Sequence, residues 1–128
     1  MGTSGFAAIS LGATLGAMLR WWLGHRLNPV FPTLPLGTLA ANLLAGFLIG
    51  VAVAFFNKHP GLPPETRLMT MTGFLGGLST FSTFSAEIVS LIARGEYLWA
   101  LGAIGLHLFG ALLLTGLGIL SVQLISSA

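Results

Sequence analysis

Only eight charged side chains interrupt this 128-residue sequence, and they leave long stretches with none. No Asp, Glu, Lys or Arg precedes Arg20, and none stands between Arg26 and Lys58, between Arg67 and Glu87, or after Glu96. Charged residues make up 6% of the chain, against roughly 25% in soluble domains, and the mean hydropathy is +0.94. Too few polar groups remain to coat a globule. In hydrocarbon every backbone N–H and C=O must find its partner within the protein, so uncharged runs of about 20 residues are expected to cross as helices. The sequence therefore predicts an all-α integral membrane protein.

Four spans account for nearly the whole chain, as a single membrane domain over 1–128. The first, 6–27, closes with Arg20, Trp21, Trp22, His25 and Arg26, an aromatic and basic edge suited to a water interface. Asn28-Pro29 and Phe31-Pro32 then break it. The second, 36–57, lies between Pro35 and the turn Lys58-His59-Pro60-Gly61; Pro63 and Pro64 precede the third, 67–93. Tyr97 and Trp99 open the fourth, 97–126. The amino end lacks the basic n-region of a secretory signal, so the first span is expected to stay in the mature protein.

Charge counting barely orients these helices. The face with both termini and the second loop carries Lys58 and Arg67, while the opposite face carries Arg26 and Arg94, with Arg20 joining them if it snorkels. So small a bias predicts insertion in both orientations and pairing with an inverted copy, the alternative being a fixed orientation set by finer detail. Gly12 and Gly16, Gly46 and Gly50, and Gly73 and Gly77 have the small-xxx-small spacing that brings helix backbones together. Within one subunit each pair serves packing; together they point to a compact oligomer, most simply a dimer.

Several functions are excluded at once. The absence of cysteine removes disulfides, thiol catalysis and sulfur-ligated metals. A net charge of +2 raises nucleic acid as a partner, but five basic residues scattered over helix ends form no patch and are better suited to membrane lipid headgroups. No nucleophile with its base, paired carboxylates or phosphate-cradling loop occurs, so no enzyme is expected.

The chemistry gathers in the third span. Gly73-Phe-Leu-Gly-Gly-Leu-Ser-Thr-Phe-Ser-Thr-Phe-Ser85 sets glycines before stripes of hydroxyl and phenyl groups: Ser79, Ser82 and Ser85; Thr80 and Thr83; Phe81 and Phe84. Serines in such helices usually bond back to a carbonyl one turn earlier, and phenyl rings usually face lipid or core. Combined with Gly73, Gly76 and Gly77, however, they predict a helix interruption whose freed carbonyls need a cation, a donor or water. Asn42, with Thr38 and Gly46 one turn to either side, is either an interhelical hydrogen-bonding residue or an NH2 donor lining a narrow path. Arg20 and Glu87 are the charges set deepest, expected to pair or, for Arg20, to snorkel as an anchor. His107 reads as a hydrogen-bonded packing residue, since no second ligand stands at metal spacing on its helix.

These residues are similar to those of a known family. The run Gly73 to Ser85 followed by Glu87, the segment Gly37-Thr38-Leu39-Ala40-Ala41-Asn42 with Gly46 and Gly50, and Gly16-Ala17-Met18-Leu19-Arg20 together resemble the Fluc (CrcB-like) fluoride channels over essentially the whole chain. The resemblance implies an antiparallel homodimer of dual topology in the bacterial plasma (inner) membrane. It would export fluoride passively through two pathways around a central structural sodium. It further implies Phe81 and Phe84 as rings whose edges face the anion, Asn42 as a pore-lining donor, Ser82 and Thr83 as hydroxyls near the path, and the Gly76 and Ser79 carbonyls as sodium ligands. Ser79 departs from a position where the family often has threonine. The fourth-span hydroxyl track reads here as His107, Ala111 and Thr115, of which Thr115 is the residue expected to serve the path. The rival is a small dual-topology exporter that trades protons for cationic compounds. That chemistry needs a carboxylate, and the first span has none; only Glu87 could substitute.

Overall fold

The computed structural model describes residues 2–127, which contain four helical spans long and apolar enough to cross a membrane and no β-strand. Helix α1 covers Gly2–Leu27 and a 3-10 turn covers Asn28–Val30. Helix α2 covers Leu36–Lys58. The third span is in two pieces, α3 (64–78) and α4 (Phe81–Ala93), and α5 (Tyr97–Ser127) is the fourth. The reading as an all-α membrane protein with a broken third span therefore holds. The first helix starts before residue 6, at Gly2, and the third before residue 67, at Pro64, because proline is tolerated in the first turn of a helix.

Loop chemistry fixes the helix ends. Pro35 precedes α2 without a capping side chain, and Asn28 takes over: its Oδ1 accepts from Gly37 N at 2.8 Å and Thr38 N at 3.2 Å. At the end of α4, Gly95 adopts φ +77°, a left-handed turn open to glycine, and the chain closes with Gly95 N donating to Ile92 O and Glu96 N to Leu91 O.

Packing pairs α1 with α3 and α2 with α5. Gly12 and Gly16 lie directly against the carbonyls of Met69 and Phe74, leaving no room for a Cβ, and Gly73 and Gly77 press back on Ile9 and Ala13. On the other side Gly46 and Gly50 meet Ala111 and Thr115. All three small-xxx-small pairs are thus used for packing within the subunit, as each pair taken singly suggested. Ala41 and Ala45 pack with Phe56, Leu75 and Leu78 in one core, and Ile88 and Leu91 pack with Ala100 and Ala103 in another. Outward faces carry Phe6, Leu98 and Leu101, as surfaces toward lipid should.

Candidate functional site

The third span loosens before it parts. Leu68–Leu75 are wound as a π-helix, and after Leu78 the backbone extends at Ser79 (φ −78°, ψ 152°) and Thr80 (φ −147°, ψ 112°) before α4 begins. Wide turns of this kind are rare in helices and recur at functional sites. Because no solvent can satisfy an open backbone at this depth, neighbouring groups must. Thr80 N donates to Asn42 Oδ1 at 2.7 Å, and Thr80 O accepts from Asn42 Nδ2 at 3.1 Å. Thr80 Oγ1 caps α4 by accepting from Thr83 N at 3.1 Å. Gly77 O accepts from Arg20 Nε at 3.0 Å, while Leu75 O takes both the N–H and the hydroxyl of Ser79.

Two carbonyls come out of this arrangement free of their helix donors. A continuous helix would send Thr80 N–H to Gly76 O and Thr83 N–H to Ser79 O, and both N–H groups are diverted to side chains. Gly76 and Ser79 are exposed on the subunit. The glycines themselves do not make the interruption: Gly73, Gly76 and Gly77 stay helical, and the break falls after them, where hydroxyl and amide side chains offer other partners.

A cavity of about 830 Å³ opens beside the break, bringing together Asn42, Gly76, Ser79, Phe81, Phe84 and Thr115 of the residues singled out in the sequence. His107 and Ala111 line it too, and no lining residue is charged. Phe81 is 79% exposed, its ring 5.7 Å from that of Phe84 and tilted by 60°. Ser82 and Thr83 are not part of this lining; Ser82 is exposed and Thr83 is half-buried beside Thr80.

Asn42 uses every polar position it has. Besides its two bonds to Thr80, Nδ2 lies 3.1 Å from His107 Nδ1, so of the two roles open in the sequence, the structure shows the interhelical one. The Thr115 hydroxyl is shared between Gly46 O and Ala111 O, each at 2.8 Å. Arg20 and Glu87 take separate partners instead of each other: Arg20 holds Gly77 O, and Glu87 Oε2 accepts from Thr38 Oγ1 at 2.6 Å. Thr38 and His107 complete the set, His107 as the buried hydrogen-bonding residue that the sequence suggested. Their signal was register, since Thr38 is one turn from Asn42 and His107 two turns from Thr115.

Fold and site define a multi-pass helical membrane protein in which a broken span borders an uncharged, ring-lined and hydroxyl-lined groove. The family described as CrcB-like protein, Camphor Resistance (CrcB) matches residues 7–119, and the chain belongs to that family. A protein of Nitrosospira multiformis is 59% identical over 123 residues, covering 96% of each chain, and carries the name fluoride-specific ion channel FluC. So named too are a protein of Nitrosomonas europaea, 59% identical over 94% of this chain and 95% of its own, and one of Cupriavidus taiwanensis, 54% identical over 98% of this chain and 100% of its own.

Proposed function

We propose that this chain is a passive, fluoride-selective channel that exports fluoride across the bacterial plasma membrane. It would work as an antiparallel homodimer of dual topology with two pores and a central structural sodium ion. The name shared by the relatives supports fluoride as the permeating ion. The observation that carries the mechanism is the uncharged groove, in which Phe81 and Phe84 stand beside amide and hydroxyl groups with no fixed cation.

A phenyl ring has a positive edge and a negative face, so edges turned to a small hard anion replace part of its water shell. Without a buried cation the ion is held weakly enough to leave again, as conduction requires. Phe81 is largely exposed on the subunit, which is compatible with a second copy enclosing it. The freed Gly76 and Ser79 carbonyls suit a hard cation, and two inverted copies would present them symmetrically around sodium, whose charge would hold the broken helices together. Glu87, the carboxylate that a proton-coupled exporter would need, is bonded to Thr38 and does not line the groove.

The test is fluoride efflux from liposomes containing the purified chain, read with a fluoride electrode, with chloride and a cationic dye as controls. Fluoride should leave down its own gradient whether or not a proton gradient is imposed, and Phe81→Ile should suppress the flux. Efflux of the dye in place of fluoride, driven by protons and abolished by Glu87→Gln, would establish the exporter instead.

A further inference from the structure

Two features of the third span are not used by its break. Leu68–Leu75 are wound with N–H groups reaching five residues back, although the helix parts only after Leu78, and a second cavity of about 490 Å³ lies at the turn that joins α2 to α3. Phe56, His59 and Arg67 line this cavity together with the prolines of the turn. Met71, in the middle of the π-wound segment, lines both it and the groove, and is the one residue that the two share. Arg67, Met71 and Leu75 thus succeed one another along α3, the first in the outer cavity and the last in the groove.

Arg67 carries the only permanent charge in the outer lining. It is exposed, and Phe56 holds it in place: Nη2 donates to Phe56 O at 3.5 Å, and the guanidinium stands 5.4 Å from the centre of the buried Phe56 ring. No carboxylate neutralises it among the described residues. Glu65, two positions before, does not line the cavity, and its Oε2 accepts from Ser4 Oγ at 2.8 Å. His59 offers an anion less, because its Nδ1 lies 2.9 Å from Phe55 O; a carbonyl only accepts, so the proton of a neutral ring is spent there and Nε2 is bare.

An exposed guanidinium at the end of a span concentrates anions near it, while water screens it enough that they are not trapped. One turn further in, Met71 is half-buried against the core that holds Phe56 and Leu75, and its unbranched side chain can swing without moving the backbone. Apolar side chains at a narrow point exclude water and so govern the passage of ions. We propose that the cavity at the α2–α3 turn is a mouth of the fluoride path, where Arg67 gathers the anion, and that Met71 is the apolar constriction between this mouth and the groove. The proposal rests on the fluoride-channel reading.

Fluoride efflux from liposomes, followed at two ionic strengths set with an inert salt, tests the mouth. Arg67→Gln should lower the flux about fivefold at low ionic strength, the effect of one water-screened charge at close range, and hardly at all at about 1 M, where screening acts within about 3 Å. Arg67→Lys should conduct like wild type. A loss that is equal at both ionic strengths would make Arg67 a clasp on the end of α2 and overturn its role as a gathering charge. For the constriction, Met71→Ala should raise the flux and Met71→Phe should stop most of it, whereas Met69→Phe, at a position that lines neither cavity, should not. The chain has no cysteine, so Met71→Cys introduces a single thiol. Silver ion should block efflux through that variant while sparing wild type and Leu101→Cys, whose side chain is exposed on the outward face. Silver-insensitive flux through Met71→Cys overturns the constriction and leaves the channel reading standing. A wild-type chain that moves no fluoride would instead remove the channel reading.

Discussion

Helix α2 runs unbroken from Leu36 to Lys58 with Gly37, Gly46 and Gly50 inside it, whereas the third span passes Gly73, Gly76 and Gly77 and parts only after Leu78, at Ser79 and Thr80. A glycine in a helix costs about 0.5–1 kcal/mol relative to alanine, too little to open a backbone that has no water to turn to. The difference lies in what neighbouring side chains offer. Nothing in α2 draws its backbone away from the helix, while Asn42 and Thr80 give the third span replacement partners for two N–H groups. The break is made by side chains that accept the diverted bonds, and Gly73 and Gly77 serve the approach of α1.

That distinction is broken most severely at Asn42. Leucine there leaves Thr80 N–H, Thr80 C=O and His107 Nδ1 without their partner, at about 1–3 kcal/mol for each buried group. A loss on the order of 3–9 kcal/mol is a large part of what holds a small domain folded. Asn42→Leu should therefore lower the midpoint of thermal unfolding in detergent sharply and abolish fluoride flux, while Asn42→Asp, which keeps the acceptor for Thr80 N, should unfold at an intermediate temperature. A leucine variant as stable as wild type would mean that the break persists without its clasp.

The glycines give the next largest effect, and one that separates position from residue type. Gly16 abuts Phe74 O with no space for a side chain, whereas Gly105 has nothing within 4 Å of where a Cβ would stand. Gly16→Val should force α1 away from α3 and cost about 1–3 kcal/mol, as overpacking generally does. Gly105→Ala should leave the unfolding midpoint unchanged or slightly raised. Equal losses at the two sites would show that helical glycine, and not close approach, is what the chain depends on.

Much of this was legible in the sequence because charge and hydrophobicity act one residue at a time. The spans between Arg26 and Lys58 and after Glu96 could be read directly, whereas the grouping of Asn42, Phe81, Phe84 and Thr115, which line one groove, came from the family resemblance. The place of the break could not, because it depends on Asn42 standing opposite Thr80, a relation between residues 38 positions apart. For the same reason Arg20 and Glu87 looked like a pair. As the deepest charges they invited it, but each is met first by a closer polar group, a carbonyl opened by the break for one and the Thr38 hydroxyl for the other. The glycine pairs were legible as sites of close helix approach, but not which helices meet there, because spacing says that two helices approach and not whose they are.

The smallest effects sharpen the comparison inside the break itself. Thr80→Val keeps shape and removes the acceptor for Thr83 N, a lost helix cap worth about 1 kcal/mol. Ser79→Ala removes only the second of two bonds to Leu75 O, because Ser79 N–H still reaches the same carbonyl at 3.0 Å, and its cost should stay below about 0.5 kcal/mol. The Ser79 carbonyl is untouched by that change, so fluoride flux should stay near the wild-type rate if sodium is held through backbone oxygen. Unfolding midpoints and efflux rates measured side by side decide the matter. A larger loss of flux at Ser79→Ala than at Thr80→Val would mean that the hydroxyl, and not the carbonyl, is the group that the break presents to its ligand.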